Sequence, residues 1–314
     1  MDGCVLSYEW FLFFRGEVVM LVLSFPDYVP QGRALATALS VAWAEIEIHH
    51  FPDGESRIRL PPTLPDEVIL CRSLDHPNNK LVELILVARA ARQLGVRHLT
   101  LIAPYLCYMR QDMAFHPGEI VSQRIVGGVL GELFDAVITV DPHLHRIRFL
   151  EEVLPAHFVL ALSATSLMGD FLKHQPLYEN ALLLGPDQEA KQWVEAIAHS
   201  HGLRHAVATK QRSGDCAVSI TLPDLDYRDQ MVVVVDDVAS TGCTLAKTAE
   251  ALYARGVARV AVLITHALFC TNSPERLKQA GINEIWSTDS VAHHTNVIAL
   301  ADLLVMGIRQ FNFL

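Results

Sequence analysis

Apolar positions in this chain follow two alternating rhythms. Short runs made mainly of aliphatic and β-branched residues occupy 21–24, 68–71, 98–103, 136–140, 181–184, 231–235 and 257–264. Between them lie stretches whose apolar residues recur at three- and four-residue spacing, at 33–39, 80–94, 122–133, 190–199 and 244–254. The first rhythm predicts strands buried on both faces and the second predicts amphipathic helices. Regular β-α alternation predicts a parallel, doubly wound sheet, and it occurs twice. The pattern therefore predicts two related α/β domains of similar size with a cleft between them. It assigns 20–159 to the first and 160–297 to the second, and residues 298–314 are expected to pack back on the first domain.

The most informative junction is at 232–244. Four valines, Val232 to Val235, run into Asp236 and Asp237, then into Ser240, Thr241, Gly242, Cys243 and Thr244, and then into a helix with Leu245, Ala249 and Leu252 on one face. Ligands bind at such strand-to-helix loops on the carboxyl edge of a parallel sheet. Backbone N–H groups and hydroxyls at a helix N-terminus suit an anion. Two carboxylates repel a bare phosphate, so they call for sugar hydroxyls or a cation. Together these needs describe a phosphorylated sugar.

Bulk properties narrow the classes. The chain has 314 residues, 51% hydrophobic and 19% charged, with formal net charge −10 from 25 basic and 35 acidic side chains. That balance argues against nucleic acid as a partner, because a polyanion needs a basic surface. The apolar residues near Trp10 are interrupted by Arg15 and Glu17, so no run approaches the about 20 residues of a membrane helix, and Asp2 and Glu9 do not suit a signal peptide. Met20 opens the first strand, and residues 1–19 read as an extension or misplaced start. The six cysteines, Cys4, Cys71, Cys107, Cys216, Cys243 and Cys270, form no C-x-x-C pair and read as reduced thiols of a cytoplasmic protein, Cys243 as a small filler of its loop.

Four further clusters carry chemistry. Arg110, Gln111 and Asp112 follow the strand at 98–103, and Phe51, Asp53 and Glu55 lie in a turn. An arginine fork grips phosphate in two places and an aromatic ring stacks on a base, although either cluster alone is also an ordinary turn. Asp141, His143 and His145 alternate, which on an extended segment would aim them one way as metal ligands, a weak signal when alone. Lys210 and Arg212 stand in a short basic stretch, suited to neutralising charge once substrates are enclosed. His49, His50, His293 and His294 read as exposed loop residues.

These motifs, in this order from Met20 onward, resemble the ribose-phosphate pyrophosphokinase family. The resemblance implies two tandem type I phosphoribosyltransferase-like domains, each a mainly parallel sheet flanked by helices. It implies that Phe51, Asp53, Glu55, Arg110, Gln111, Asp112 and His143 form an ATP site. Asp187, Asp236, Asp237, Ser240, Thr241, Gly242, Cys243 and Thr244 would hold ribose 5-phosphate, with His143 and Asp187 near Mg²⁺ and Lys210 and Arg212 in a catalytic flexible loop. Thr265 to Phe269 and Ser287 to Asp289 also look like family segments. Met113, Ser240, Gln188 and Glu189 depart from the common bacterial and mammalian pattern. Phe115 to Glu119 and Ala239 to Gly242 look more like the archaeal-type branch.

The implied reaction is diphosphoryl transfer from Mg·ATP to the anomeric hydroxyl of ribose 5-phosphate, releasing AMP, by a protein that is at least a homodimer. A phosphoribosyltransferase would share the 236–244 loop but leaves 110–112 unexplained. A catalytically silent regulatory homologue is the other alternative, set against the presence of Lys210, Arg212 and both aspartates.

Overall fold

The computed structural model describes residues 20–114, 116–144, 146–176, 180–212 and 218–310, with the side chains of Arg212 and Val218 left aside. The readings made for 1–19, Phe115 and His145 lie outside the described residues.

The first half contains β1 (Met20–Ser24), α1 (Val29–Leu39), β2 (Ala42–Glu45), β3 (Glu47–His50), β4 (Ser56–Arg59), β5 (Glu67–Cys71), α2 (Pro77–Gln93), β6 (His98–Ile102), α3 (Ser122–Leu133), β7 (Ala136–Val140) and β8 (Phe158–Leu162). Six of these strands form one parallel sheet in the order β2-β1-β5-β6-β7-β8, while β3 and β4 make an antiparallel hairpin.

The second half contains α4 (Thr165–Lys173), β9 (Ala181–Gly185), α5 (Lys191–His201), β10 (Arg204–Val207), β11 (Thr209–Arg212), β12 (Val218–Thr221), β13 (Met231–Ala239), α6 (Cys243–Ala254), β14 (Arg259–Ala267), α7 (Ser273–Gln279), β15 (Glu284–Thr288), β16 (Asn296–Ile298) and α8 (Ala301–Ile308). Its parallel sheet runs β10-β9-β13-β14-β15-β16, the same winding as the first. The doubled parallel α/β fold predicted from the alternation is what the chain adopts.

Period-two side-chain alternation explains the core. Val233 and Val235 enter one apolar cluster, while Val232 and Val234 enter another on the opposite sheet face. The cluster holding Val233 and Val235 is shared by both halves: Met20, Val22, Ile138 and Val140 of the first sheet join Leu183 and Leu263 of the second, with helices between. Burying such side chains fully is worth about 1.5–3 kcal/mol each, so the halves are joined by apolar contact. α8 lies against α1, β7 and β8 of the first sheet. Its Gly307 passes so close that an added Cβ would sit 2.8 Å from Leu162 Cδ1.

Candidate functional site

Both sheets direct their carboxyl ends toward the seam between the halves. Asp187 follows β9, the acid pair lies within the carboxyl-terminal part of β13, the 104–112 segment follows β6, and His143 follows β7.

Asp237 is 5% exposed and Asp236 half-buried. His143 reaches across from the first half, its Nδ1 2.8 Å from Asp237 Oδ2. Burial pushes the Asp236 carboxyl well above the usual range, and the neighbouring Asp237 and Asp187 carboxylates add to the rise. Burial acts on Asp237 in the same sense, but the hydrogen bond and charge of His143, with His266 adding, outweigh it and hold Asp237 below that range. The two carboxyls are thus pushed in opposite directions, Asp236 holding its proton more tightly than Asp237, which His143 Nδ1 faces.

The loop after β13 turns on Gly242, whose φ of +72° favours glycine, and α6 begins directly behind it. Ser240 O accepts the Ser273 hydroxyl at 2.7 Å and the Cys270 N–H at 3.2 Å. Thr241 Oγ1 accepts the Cys243 N–H at 3.4 Å, and the Arg276 guanidinium donates to the Thr241 carbonyl. Thr244 is half-buried. Arg276, on α7, went unnoticed in the sequence, where it looks like any charge on a surface helix. Cys243 is buried behind this turn at 5% exposure, Cys71, Cys107 and Cys270 are free thiols, and Cys4 and Cys216 lie outside the described residues.

Asp187 is 7% exposed. One carboxylate oxygen accepts the backbone N–H groups of Glu189 and Ala190, at 2.9 and 3.2 Å, and the other pairs with the Lys210 ammonium. Lys210 sits on β11, so the expected flexible stretch begins as a strand paired with β12. Arg212 ends that strand. Next to Asp187, an open cavity of about 540 Å³ is lined by Leu144, Gln188, Glu189, Lys191, Gln192 and Glu195.

On the first half, Arg110 is exposed and Gln111 half-buried. The Asp112 side chain is 2% exposed and pairs with Arg146 at 2.5 Å, while its second oxygen is buried without a hydrogen-bond partner among the described residues. Phe51, Asp53 and Glu55 occupy the tip of the β3–β4 hairpin, closed by Phe51 N–H to Glu55 O at 2.8 Å and Glu55 N–H to Asp53 Oδ1 at 3.2 Å. Among the described residues, no hydrogen bond or ion pair joins this tip to Arg110, Gln111 or Asp112.

Asp141 and His143 do not share a face. Asp141 has φ +39°, which breaks the extended alternation. Its buried carboxylate accepts from Ser163 Oγ at 2.8 Å, Ala164 N at 3.0 Å and Thr265 Oγ1 at 3.0 Å. His266 Nε2 lies 3.3 Å from the Asp141 carbonyl and Nδ1 2.9 Å from Ser290 Oγ. Asp141 is thus a joint between the halves, and of the two described residues His143 is the one that enters the site.

Acidic excess at Asp187, Asp236 and Asp237 suits a divalent cation, which would relieve the repulsion felt by Asp236. Among the described residues no three His, Cys, Asp or Glu side chains form a ready cage.

Two family models match the chain: the N-terminal domain of ribose phosphate pyrophosphokinase over residues 20–133, and the phosphoribosyl synthetase-associated domain over 219–311. A ribose-phosphate pyrophosphokinase of Methanopyrus kandleri is 34% identical over 295 residues, covering 93% of this chain and 100% of the relative. That of Saccharolobus solfataricus is 30% identical, covering 82% and 89%. The crystal structure of phosphoribosylpyrophosphate synthetase from Mycobacterium smegmatis superposes with TM-score 0.79 at 22% identity, over 92% of this chain and 97% of that one, which speaks to the fold. No helix among the described residues is long and apolar enough to cross a membrane.

Proposed function

The chain belongs to the ribose-phosphate pyrophosphokinase family, and we propose that it transfers the β,γ-diphosphoryl group of Mg·ATP to the C1 hydroxyl of ribose 5-phosphate, giving phosphoribosyl diphosphate and AMP. The observation that carries this reading is the 2.8 Å contact between His143 and Asp237. It links the half that bears the nucleotide motifs to the half that bears the sugar-phosphate loop.

The chemistry follows from the surrounding groups. The 240–244 loop binds the 5-phosphate through backbone N–H groups and hydroxyls, and ionised Asp237, with Asp236, orients the ribose hydroxyls. Phe51, Asp53, Glu55, Arg110, Gln111 and Asp112 bind ATP. The C1 oxygen attacks the β-phosphorus in line and the bond to the α-phosphate oxygen breaks. No strong base is needed, because positioning and charge stabilisation supply most of the acceleration in phosphoryl transfer. Lys210 leaves Asp187 for the phosphates as substrates enter, and with Arg212 it neutralises charge on the transferring group and on departing AMP. Mg²⁺, held by Asp187 with His143 alongside, would neutralise the phosphates.

On this reading the protein works in the cytoplasm as at least a homodimer. Exposed apolar side chains on α2 and α3, among them Val82, Leu86 and Ile125, support self-association. Chromatography of the nucleotides tests the reaction. AMP should form only when ATP, Mg²⁺ and ribose 5-phosphate are all present, and conversion to ADP, or none, would reject it.

A further inference from the structure

Glu83 is the most deeply buried carboxylate outside the site, 1% exposed on the inward face of α2 beside Leu84, Val87 and Ala88. A buried charge is costly unless paired and hydrogen-bonded, and both of its oxygens are engaged. Oε2 takes Arg72 Nη1 at 2.7 Å, and Oε1 takes Ser56 Oγ at 2.8 Å and His50 Nε2 at 2.7 Å. Arg72 has a carboxylate partner besides Glu83, because it shares Asp27 with Lys80, at 2.8 Å, and Lys80 has Asp75 as well, at 2.6 Å. The Arg72 Nε lies 3.0 Å from Asp27 Oδ1, and its guanidinium stacks 4.2 Å from the Phe25 ring centroid. Balancing Arg72 is therefore an incomplete account of Glu83.

The pair on Oε1 supplies the rest. His50 ends β3 and Ser56 begins β4, and the two face each other in the last rung of the hairpin. A single oxygen thus grips both ends of the 51–55 turn. The opposite oxygen is fastened to Arg72, which directly follows β5 and whose N–H donates to Ile102 O at 3.0 Å. Ile102 ends β6, from which the 104–112 segment departs. We propose that Glu83 is a positioning residue for nucleotide binding, fixing the Phe51, Asp53 and Glu55 turn relative to the sheet edge that presents Arg110 and Asp112. The inference rests on the reading that this turn binds ATP. Glu83 touches no substrate and acts through His50 and Ser56.

The test is the double variant His50→Ala/Ser56→Ala, which frees the turn but leaves the Arg72–Glu83 pair intact. Losing two hydrogen bonds to a carboxylate should raise KM for ATP about tenfold or more, with KM for ribose 5-phosphate changed less than about twofold. The melting temperature should fall by only a few degrees, the effect of two lost hydrogen bonds to a buried carboxylate that Arg72 still pairs. His50→Gln with Ser56 intact keeps an N–H donor and should return KM for ATP toward the parent value. A lowered melting temperature with unchanged KM for ATP, or both KM values rising together, would overturn the proposal. Phe51→Ala separates it from the reading beneath it. If that variant raises KM for ATP and the double variant does not, the clamp alone falls. If Phe51→Ala has no effect, the assignment of the turn falls and the clamp with it.

Discussion

Thr265→Val tests the joint between the halves. Thr265 is fully buried, and its hydroxyl donates to Asp141 Oδ2 at 3.0 Å across 124 positions of sequence. Valine keeps the shape and removes only the hydroxyl. Hydrogen bonds to charged groups contribute about 1.5–3 kcal/mol. Asp141 Oδ2 keeps the Ala164 N–H at 3.0 Å and Oδ1 keeps the Ser163 hydroxyl at 2.8 Å, so the lower end applies. The expected loss is about 1.5–2 kcal/mol, a fall in melting temperature of about 2–4 °C. Urea denaturation of Thr265→Val, Asp141→Asn and the double variant should give a coupling energy of about 1 kcal/mol or more. Strict additivity, or a loss under about 0.5 kcal/mol for Thr265→Val, would refute the claim that this hydrogen bond helps hold the halves together.

Lys210→Ala should lower kcat at least about 100-fold with little change in binding, as for the loss of one preorganised charge; steady-state kinetics near the parent values would remove Lys210 from the chemistry. Gly242→Ala should cost about 1–2 kcal/mol of stability, because φ there is +72° and the new Cβ would lie 3.3 Å from Leu277. It should also raise KM for ribose 5-phosphate, so an unchanged KM would detach this turn from sugar binding. Burial raises the Glu83 pKa, but hydrogen bonds from Arg72, His50 and Ser56 outweigh that and hold it below the ordinary value. The unfolded chain therefore takes up this proton first: the contribution to stability is present above about pH 4.3 and is lost as pH falls through the lower folded value. Denaturation midpoints from pH 7 to 3 should fall less steeply for Glu83→Gln than for the parent, and equal slopes would show that the carboxylate does not titrate in this way.

Much of the fold is legible in the sequence because parallel strands buried on both faces appear as unbroken apolar runs. Val232 to Val235 is the clearest instance, and the two acids and small residues after it mark a ligand loop before any fold is known. β2 and β16 escape notice because short edge strands such as Asn296–Ile298 carry no periodicity. α7 and α8 are too short for their spacing to stand out. Asp141, His143 and His145 suggest metal ligands only if the backbone stays extended, and the left-handed φ at Asp141 reverses that inference. The approach of His143 to Asp237 joins residues 94 positions apart and leaves no local trace. Glu83 falls within a correctly read helix, yet nothing in helical spacing reveals that it grips a hairpin 27 residues earlier.

The most direct test of the account is phosphorus NMR of the protein with Mg·ATP and ribose 5-phosphate. The account predicts that ATP is replaced by equal amounts of AMP and a new diphosphate ester on the sugar, with no orthophosphate released. ADP and orthophosphate in their place, or an unchanged spectrum, would contradict transfer of a diphosphoryl group between the two halves.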